Sequence, residues 1–268
     1  MLTSTTPDPL LGLALLAAGW VHLRARSMHR SRTTARRSWS FYVGLTALAV
    51  ALLSPLEALS RELVSAHMIQ HVLLVLVAAP ALALAAPGPA LLRGLPVGTA
   101  RRVVGLRDRL PAALLAAPDN PVLVWLAHAG ALWLWHAAVL YQAALERPFL
   151  HVLEHAAFGL TAYPFWRLVV RAGRLDGPSR GGALLMVFGM ALQGVLLSAL
   201  LTFAERPWYP AYAGTAPRWG LEPLADQQLA GLIMWIPGGL VYLLAGLLLL
   251  GAWLRESDGI PSVPARGH

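Results

Sequence analysis

Long apolar stretches alternate with short polar connections along the whole chain, and that alternation predicts its elements. Seven apolar segments stand out, at residues 8–24, 40–56, 62–86, 120–144, 149–170, 182–204 and 228–254. Most approach or exceed the roughly 20 residues that a helix needs to cross a bilayer. In lipid the backbone must satisfy its own polar groups, and a helix does so within one segment. The predicted fold is therefore an all-α integral membrane protein, a seven-transmembrane-helix bundle. No connection is long enough for a separate soluble unit, so residues 1–268 read as a single integral membrane domain.

Breakers punctuate this pattern. Pro55, Pro87, Pro121 and Pro148 flank segments, whereas Pro80, Pro164 and Pro237 lie inside them. Intramembrane prolines are tolerated where neighbours satisfy the freed carbonyls, and they often kink the helix. Ile236-Pro237-Gly238-Gly239 predicts a locally irregular seventh helix. The connection 205–226 carries Trp208, Tyr209, Tyr212 and Trp219, which read as an interfacial aromatic belt. Residues 93–118 are basic, with Val103, Val104, Leu106 and Leu110 interspersed, and read as a stretch lying along an anionic membrane surface.

Charge orients the bundle. All 21 basic residues are arginines. Arg24, Arg26, Arg30, Arg32, Arg36 and Arg37 fall after the first segment, and Arg93, Arg101, Arg102, Arg107 and Arg109 after the third. Arg167, Arg171, Arg174 and Arg180 follow the fifth, and Arg255 and Arg266 the seventh. The intervening connections hold only Arg61, Arg147, Arg206 and Arg218. The positive-inside bias then puts the N-terminus outside and the C-terminus in the cytoplasm. The first segment lacks a preceding basic region and a cleavage site, so it reads as an uncleaved helix rather than a signal peptide. The same distribution makes the net charge of +8 a membrane-topology signal, not a nucleic-acid footprint. Hydrophobic residues make up 57% of the chain and charged residues 13%, which excludes an ordinary soluble domain. With no cysteine, disulfides and thiolate metal sites are excluded as well.

Histidine carries the candidate chemistry. His67-Met68-Ile69-Gln70-His71 and His151-Val152-Leu153-Glu154-His155 each place two imidazoles one helical turn apart. At 1.5 Å per residue, His67 and His71 lie about 7 and 13 Å below the outer edge of the third segment. His151 and His155 lie within about 10 Å of the same edge, and His136 is about 12 Å deep on the fourth segment. Five histidines from three segments thus share one outer-leaflet layer. Ionisable side chains in a membrane are costly, so a function is the default reading. His67, His71, His151 and His155 are the candidate metal ligands, with His136 or Met68 to complete or gate the site. Glu154 and Asp226 are candidate acceptors for ring N–H groups. Imidazole suits copper, zinc, iron and nickel, and the thioethers of Met186, Met190 and Met234 tilt the expectation towards Cu(I). His128 lies below the layer, while His22, His29 and His268 read as interface or solvent positions.

Other readings of the same residues stay open. The histidines can act as interhelical glue, each bond contributing about 0.6–2 kcal/mol. His151-Val152-Leu153-Glu154-His155 also fits the H-x-x-E-H pattern of inverted zinc peptidases, which makes an intramembrane zinc-dependent hydrolase the main alternative. In that pattern Glu154 stands one residue from His155 and faces away from at least one ligand. Bis-histidine haem ligation between the third and fifth helices is a further alternative.

Several blocks resemble a known family. Ser54-Pro55-Leu56, Ser65-Ala66-His67-Met68-Ile69-Gln70-His71-Val72-Leu73-Leu74, Trp133-Leu134-Trp135-His136, His151-Val152-Leu153-Glu154-His155 and Asp226-Gln227-Gln228-Leu229-Ala230-Gly231-Leu232-Ile233-Met234-Trp235 are similar to the CtaG family of cytochrome c oxidase (caa3-type) assembly factors. The chain departs from that pattern at Ala138 and Gln142, where a proline and an acidic residue are expected. The resemblance implies a multi-pass protein of the bacterial plasma membrane that assembles a haem–copper oxidase and is not an enzyme. It implies copper handling, with the oxidase catalytic subunit as partner. Combined with the histidine layer, the expectation is a copper-delivering assembly factor, loaded in turn by an extracytoplasmic copper chaperone and surrounded by membrane lipids.

Overall fold

The computed structural model describes residues 9–28 and 35–257. His29, Arg30, Arg32, Arg266 and His268 lie outside the described residues. Each of the seven apolar segments is helical: α1 (Pro9–Met28), α2 (Ala35–Leu53), α3 (Val64–Ala85), α4 (Pro121–His136) with α5 (Ala138–Glu146), α6 (Pro148–Val170), α7 (Arg180–Thr202) and α8 (Pro223–Ser257). Of the described residues 85% are helical, and no strand occurs among them. By length and apolarity α3, α7 and α8 are each able to cross a membrane, and α4 with α5 makes a fourth if the bent pair is one span.

The fourth segment is not the continuous rod expected over 120–144. It breaks at Ala137, whose backbone is extended (φ −62°, ψ 126°), and α5 leaves α4 at 74°. Ala138 is the first residue of α5, the position where proline's fixed φ is best accommodated. The break thus falls where the family resemblance calls for proline, and it persists with alanine. The carbonyl of His136, left at the broken end, accepts a hydrogen bond from the Tyr209 hydroxyl at 3.0 Å.

Proline acts differently inside α3 and α8. Pro80 has no N–H to offer the preceding turn, and residues Leu73–Ala78 widen into a π-helix, with Ala79 N–H donating to Leu74 O. The indole of Trp166 on α6 donates to the Val75 carbonyl within that segment, at 2.8 Å. The irregularity expected at Pro237 does not appear. α8 runs as one helix through Ile236-Pro237-Gly238-Gly239, because one missing bond in a 35-residue ladder leaves the rest intact.

α6 forms the centre of the core, burying Phe158, Ala162, Phe165, Trp166 and Leu168. Among the described residues α7 and α8 make the most extensive helix–helix contact. A Cβ on Gly231 of α8 would stand 2.3 Å from Thr202 Oγ1 and 2.8 Å from Ser198 O on α7. Gly231→Ala is therefore expected to destabilise the protein by about 1–3 kcal/mol through overpacking against backbone. Gly238→Ala, whose nearest neighbour would be 3.8 Å away, is expected to leave the unfolding midpoint in detergent unchanged. Equal midpoints for the two variants would refute this packing argument.

Leu185, Phe188 and Leu192 on α7 and Leu240, Leu243 and Leu247 on α8 are exposed, the arrangement a lipid-facing surface requires. At the arginine-rich end, Arg167 and Arg171 both reach Asp119, at 2.7 and 3.0 Å, and Arg180 on α7 pairs with Glu256 on α8. Arg171 also holds the exposed Asp176 carboxyl below the usual carboxylate range, chiefly by a hydrogen bond, so that pair is lost only as pH falls through the lowered value. The helix Val97–Arg107 has no buried residue and presents Val103, Val104 and Leu106 outward beside its arginines. His22, expected at an interface or in solvent, is instead buried and stacks on Phe41 with ring centroids 4.2 Å apart.

Candidate metal centre

The first three turns of α3 and the first two of α6 build the site. Asp226, in the first turn of α8, accepts hydrogen bonds from the backbone N–H of Val64 at 2.7 Å and of Ser65 at 3.2 Å, and from the Ser65 hydroxyl. It thereby caps the start of α3, satisfying donors that a helix terminus leaves open. Asp226 was expected to accept from an imidazole; it orients the histidines through the helix that carries them. α6 begins with Pro148 at its first position, and His151, Glu154 and His155 follow at spacings that share one helical stripe.

The five histidines of the expected layer come together. Ring centroids of His67 and His71 are 4.4 Å apart, those of His151 and His155 also 4.4 Å. Between helices, His67 lies 5.3 Å from His151 and 5.9 Å from His155, and His71 lies 5.7 Å from both His155 and His136. Phe158, fully buried, packs edge-on to His71 at 4.5 Å. His136 ends α4 with Nδ1 on the Leu132 carbonyl at 2.6 Å, leaving Nε2 without a partner. His128 stays apart, bonded to Thr161 Oγ1 at 3.0 Å.

Glu154 occupies the middle of this nest. Its side chain is 0% exposed, with Oε2 3.5 Å from His67 Nε2 and Oε1 3.6 Å from His71 Nε2. Neither oxygen has a hydrogen-bond partner, and the same holds for Nε2 of His67, His71, His136, His151 and His155. Buried polar atoms are almost always satisfied, so so many orphans in one place need a missing partner. One ligand atom from each of His67, His71, Glu154 and His155 lies within 4.8 Å of the others, and a second such group joins Glu57, His151 and His155. Nitrogen and carboxylate donors at this spacing fit a copper or zinc ion. Glu154 stands one residue from His155, yet a crossing helix reaches several adjacent positions of α6, so both residues meet α3.

Met68 is fully buried in an apolar cluster with Val64, Tyr141, Leu201, Tyr209, Tyr212 and Ala230. The connection between α7 and α8 covers that cluster. Tyr209 and Tyr212, expected in an interfacial aromatic belt, are each 1% exposed and form a roof, while Trp219 is exposed. The Tyr212 hydroxyl donates to Ser60 O at 2.8 Å and lies 3.4 Å from His67 Nδ1, and Tyr141 stacks on Tyr209 at 3.9 Å. Burial pushes the Tyr209 and Tyr212 phenols above their ordinary range, so both remain protonated. Gln142 ties the roof to α5 by accepting from Ala211 N–H at 3.2 Å.

Two further residues join the site without having been singled out. Glu57, on the short helix Pro55–Leu59, places Oε1 3.4 Å from His151 Nδ1, and its Oε2 accepts from Gln70 Nε2 at 2.7 Å. Arg61 lies one turn on, with Nη2 3.3 Å from Glu57 Oε1 and 3.4 Å from His151 Nδ1. The available signal was Ser54-Pro55-Leu56-Glu57, a capping serine and a first-turn proline that start a helix beside the first histidine pair.

Apolar helices able to cross a membrane, folded around a closed nest of imidazoles and carboxylates, define a membrane protein with a candidate metal centre. The family model for the cytochrome c oxidase caa3 assembly factor (Caa3_CtaG) matches residues 14–256, and the chain belongs to that family. No curated protein and no solved structure matches it.

Proposed function

We propose that this assembly factor binds copper as cargo in the histidine nest and passes it to the catalytic subunit of cytochrome c oxidase. The observation that carries the reading is the buried Glu154 carboxylate, which makes no hydrogen bond and lies 3.5–3.6 Å from imidazole nitrogens that make none either. A buried charge without compensation costs several kcal/mol, and a bound cation supplies that compensation. His67, His71, His155 and Glu154 are the proposed ligands of the buried position, and His136 stands beside His71 as an exchange ligand. Met68 enters as part of the apolar wall.

In this reading all seven helical segments span the bacterial plasma membrane, with the N-terminus outside and the C-terminus in the cytoplasm. The helix Val97–Arg107 rests on the anionic inner surface, and the tyrosine roof faces outward. An extracytoplasmic chaperone then has access to the roofed end, and a membrane-embedded oxidase site receives the ion sideways at similar depth.

The test is the metal content of detergent-purified protein after copper loading under reducing conditions, beside a His71→Ala/His155→Ala variant. Near-stoichiometric copper in the wild type, lost in the variant while the protein stays inserted and folded, is the expected result. Zinc in place of copper, with a hydrolytic activity that Glu154→Gln removes, would replace it by the hydrolase reading. No metal in either protein would leave the histidines as interhelical glue.

A further inference from the structure

We propose that the cargo ion occupies two successive positions, an outer one made by Glu57, His151 and His155 and the buried one made by His67, His71, Glu154 and His155, with His155 common to both. This rests on the copper-cargo reading and deepens it. The two groups each bring their ligand atoms within 4.8 Å, and they share only that imidazole. Burial grades from one to the other: the Glu57 side chain is 19% exposed, His151 4%, and His67 and Glu154 0%. His151 turns Nδ1 to Glu57 Oε1 at 3.4 Å, and the buried His155 Nε2 is without a hydrogen-bond partner.

Arg61 marks the outer position. Its guanidinium, on a side chain 30% exposed, lies against both Glu57 Oε1 and His151 Nδ1. A cation therefore already sits beside these two donors, held from the solvent side. Gln70 fixes the carboxylate for it, donating to Glu57 Oε2 and to the Ala51 carbonyl, both at 2.7 Å. An incoming ion displaces Arg61 towards solvent, binds Glu57, His151 and His155, and then exchanges Glu57 and His151 for Glu154, His67 and His71. His155 stays bound throughout. The oxidation state does not change, and each stage keeps one carboxylate against the ion, so no charge is stripped of its partner during descent into the low-dielectric interior.

The test follows loading of detergent-solubilised full-length protein from a water-soluble Cu(I) complex, with removal by a hydrophilic chelator as a second readout. Glu57→Gln is expected to reach the wild-type stoichiometry of one copper but to load about tenfold or more slowly, the scale of losing one ligand-shell group. Arg61→Gln is expected to load faster than wild type, a change that misfolding does not produce. His67→Ala/His71→Ala is expected to hold copper that the chelator strips at once, and adding Glu57→Gln to it should remove that copper. Wild-type loading rate in Glu57→Gln, together with no copper in His67→Ala/His71→Ala, would overturn the outer position while leaving the buried site standing. A slower Arg61→Gln would overturn the displacement of Arg61. Absence of copper from the wild type would overturn the cargo reading itself.

Discussion

Glu154→Gln is expected to raise the thermal stability of the metal-free protein and, in the same variant, to abolish the stabilisation that copper gives the wild type. Both Glu154 oxygens are buried without hydrogen bonds, and the nearest imidazole nitrogens are 3.5 and 3.6 Å away. Glutamine keeps the shape but cannot carry a charge, so the metal-free variant has no buried carboxylate to compensate. Copper at a hundred times its dissociation constant stabilises the wild type by about 2.7 kcal/mol, and the variant loses that increment with its ligand. Thermal unfolding of both proteins, with and without copper, gives the four midpoints needed. The opposite pattern is a metal-free variant less stable than wild type, with copper shifting neither. That pattern would make the carboxylate the partner of a protonated imidazole, a structural role only.

Asp226→Ala is expected to cause the largest loss of stability of any single substitution outside the core, about 2–4 kcal/mol. The carboxylate accepts from Val64 N–H, Ser65 N–H and the Ser65 hydroxyl, all buried, and removing it orphans them together. It is also a negative charge at the start of α3, where the helix dipole favours one. Asp226→Asn keeps an acceptor oxygen and should lose roughly half as much. Because Asp226 acts on the histidines only through the helix it caps, Asp226→Asn should keep wild-type copper content below its unfolding midpoint. Loss of copper at an unchanged midpoint would instead place Asp226 within the metal centre.

From the sequence the two carboxylates read alike, as acceptors for ring N–H groups, and the structure separates them for a plain reason. Acidic residues near the N-terminal ends of two helices look alike until the crossing of those helices is known. Glu154 shares a helix with two histidines and faces α3 side-on, so it enters the nest. Asp226 meets α3 at its end, where open N–H groups outcompete an imidazole for its oxygens.

The tyrosines show the same dependence. Tyr209 and Tyr212 lie in a polar connection whose composition suits a membrane interface, and nothing in their spacing reveals that the connection folds back over α5. The break at Ala137 makes room for this by turning α5 away from the axis of α4. A single residue with an extended backbone decides it, and alanine there carries no signal. Glu57 was hidden for another reason: it belongs to a five-residue helix, too short for periodicity to expose a face.

The sequence by itself determined the helical class, the seven apolar segments and the grouping of His67, His71, His136, His151 and His155 near matching ends of their segments. Those features depend on local rules, the length of an apolar run and the rise of a helix, which act before any two segments meet. Only the tertiary structure decided which carboxylate joins the imidazoles, that Glu57 and Arg61 stand at the edge of the nest, and that two tyrosines close it. These depend on crossing angles and on loops that return over the bundle, and side-chain partnerships of that kind exist only once the helices have packed.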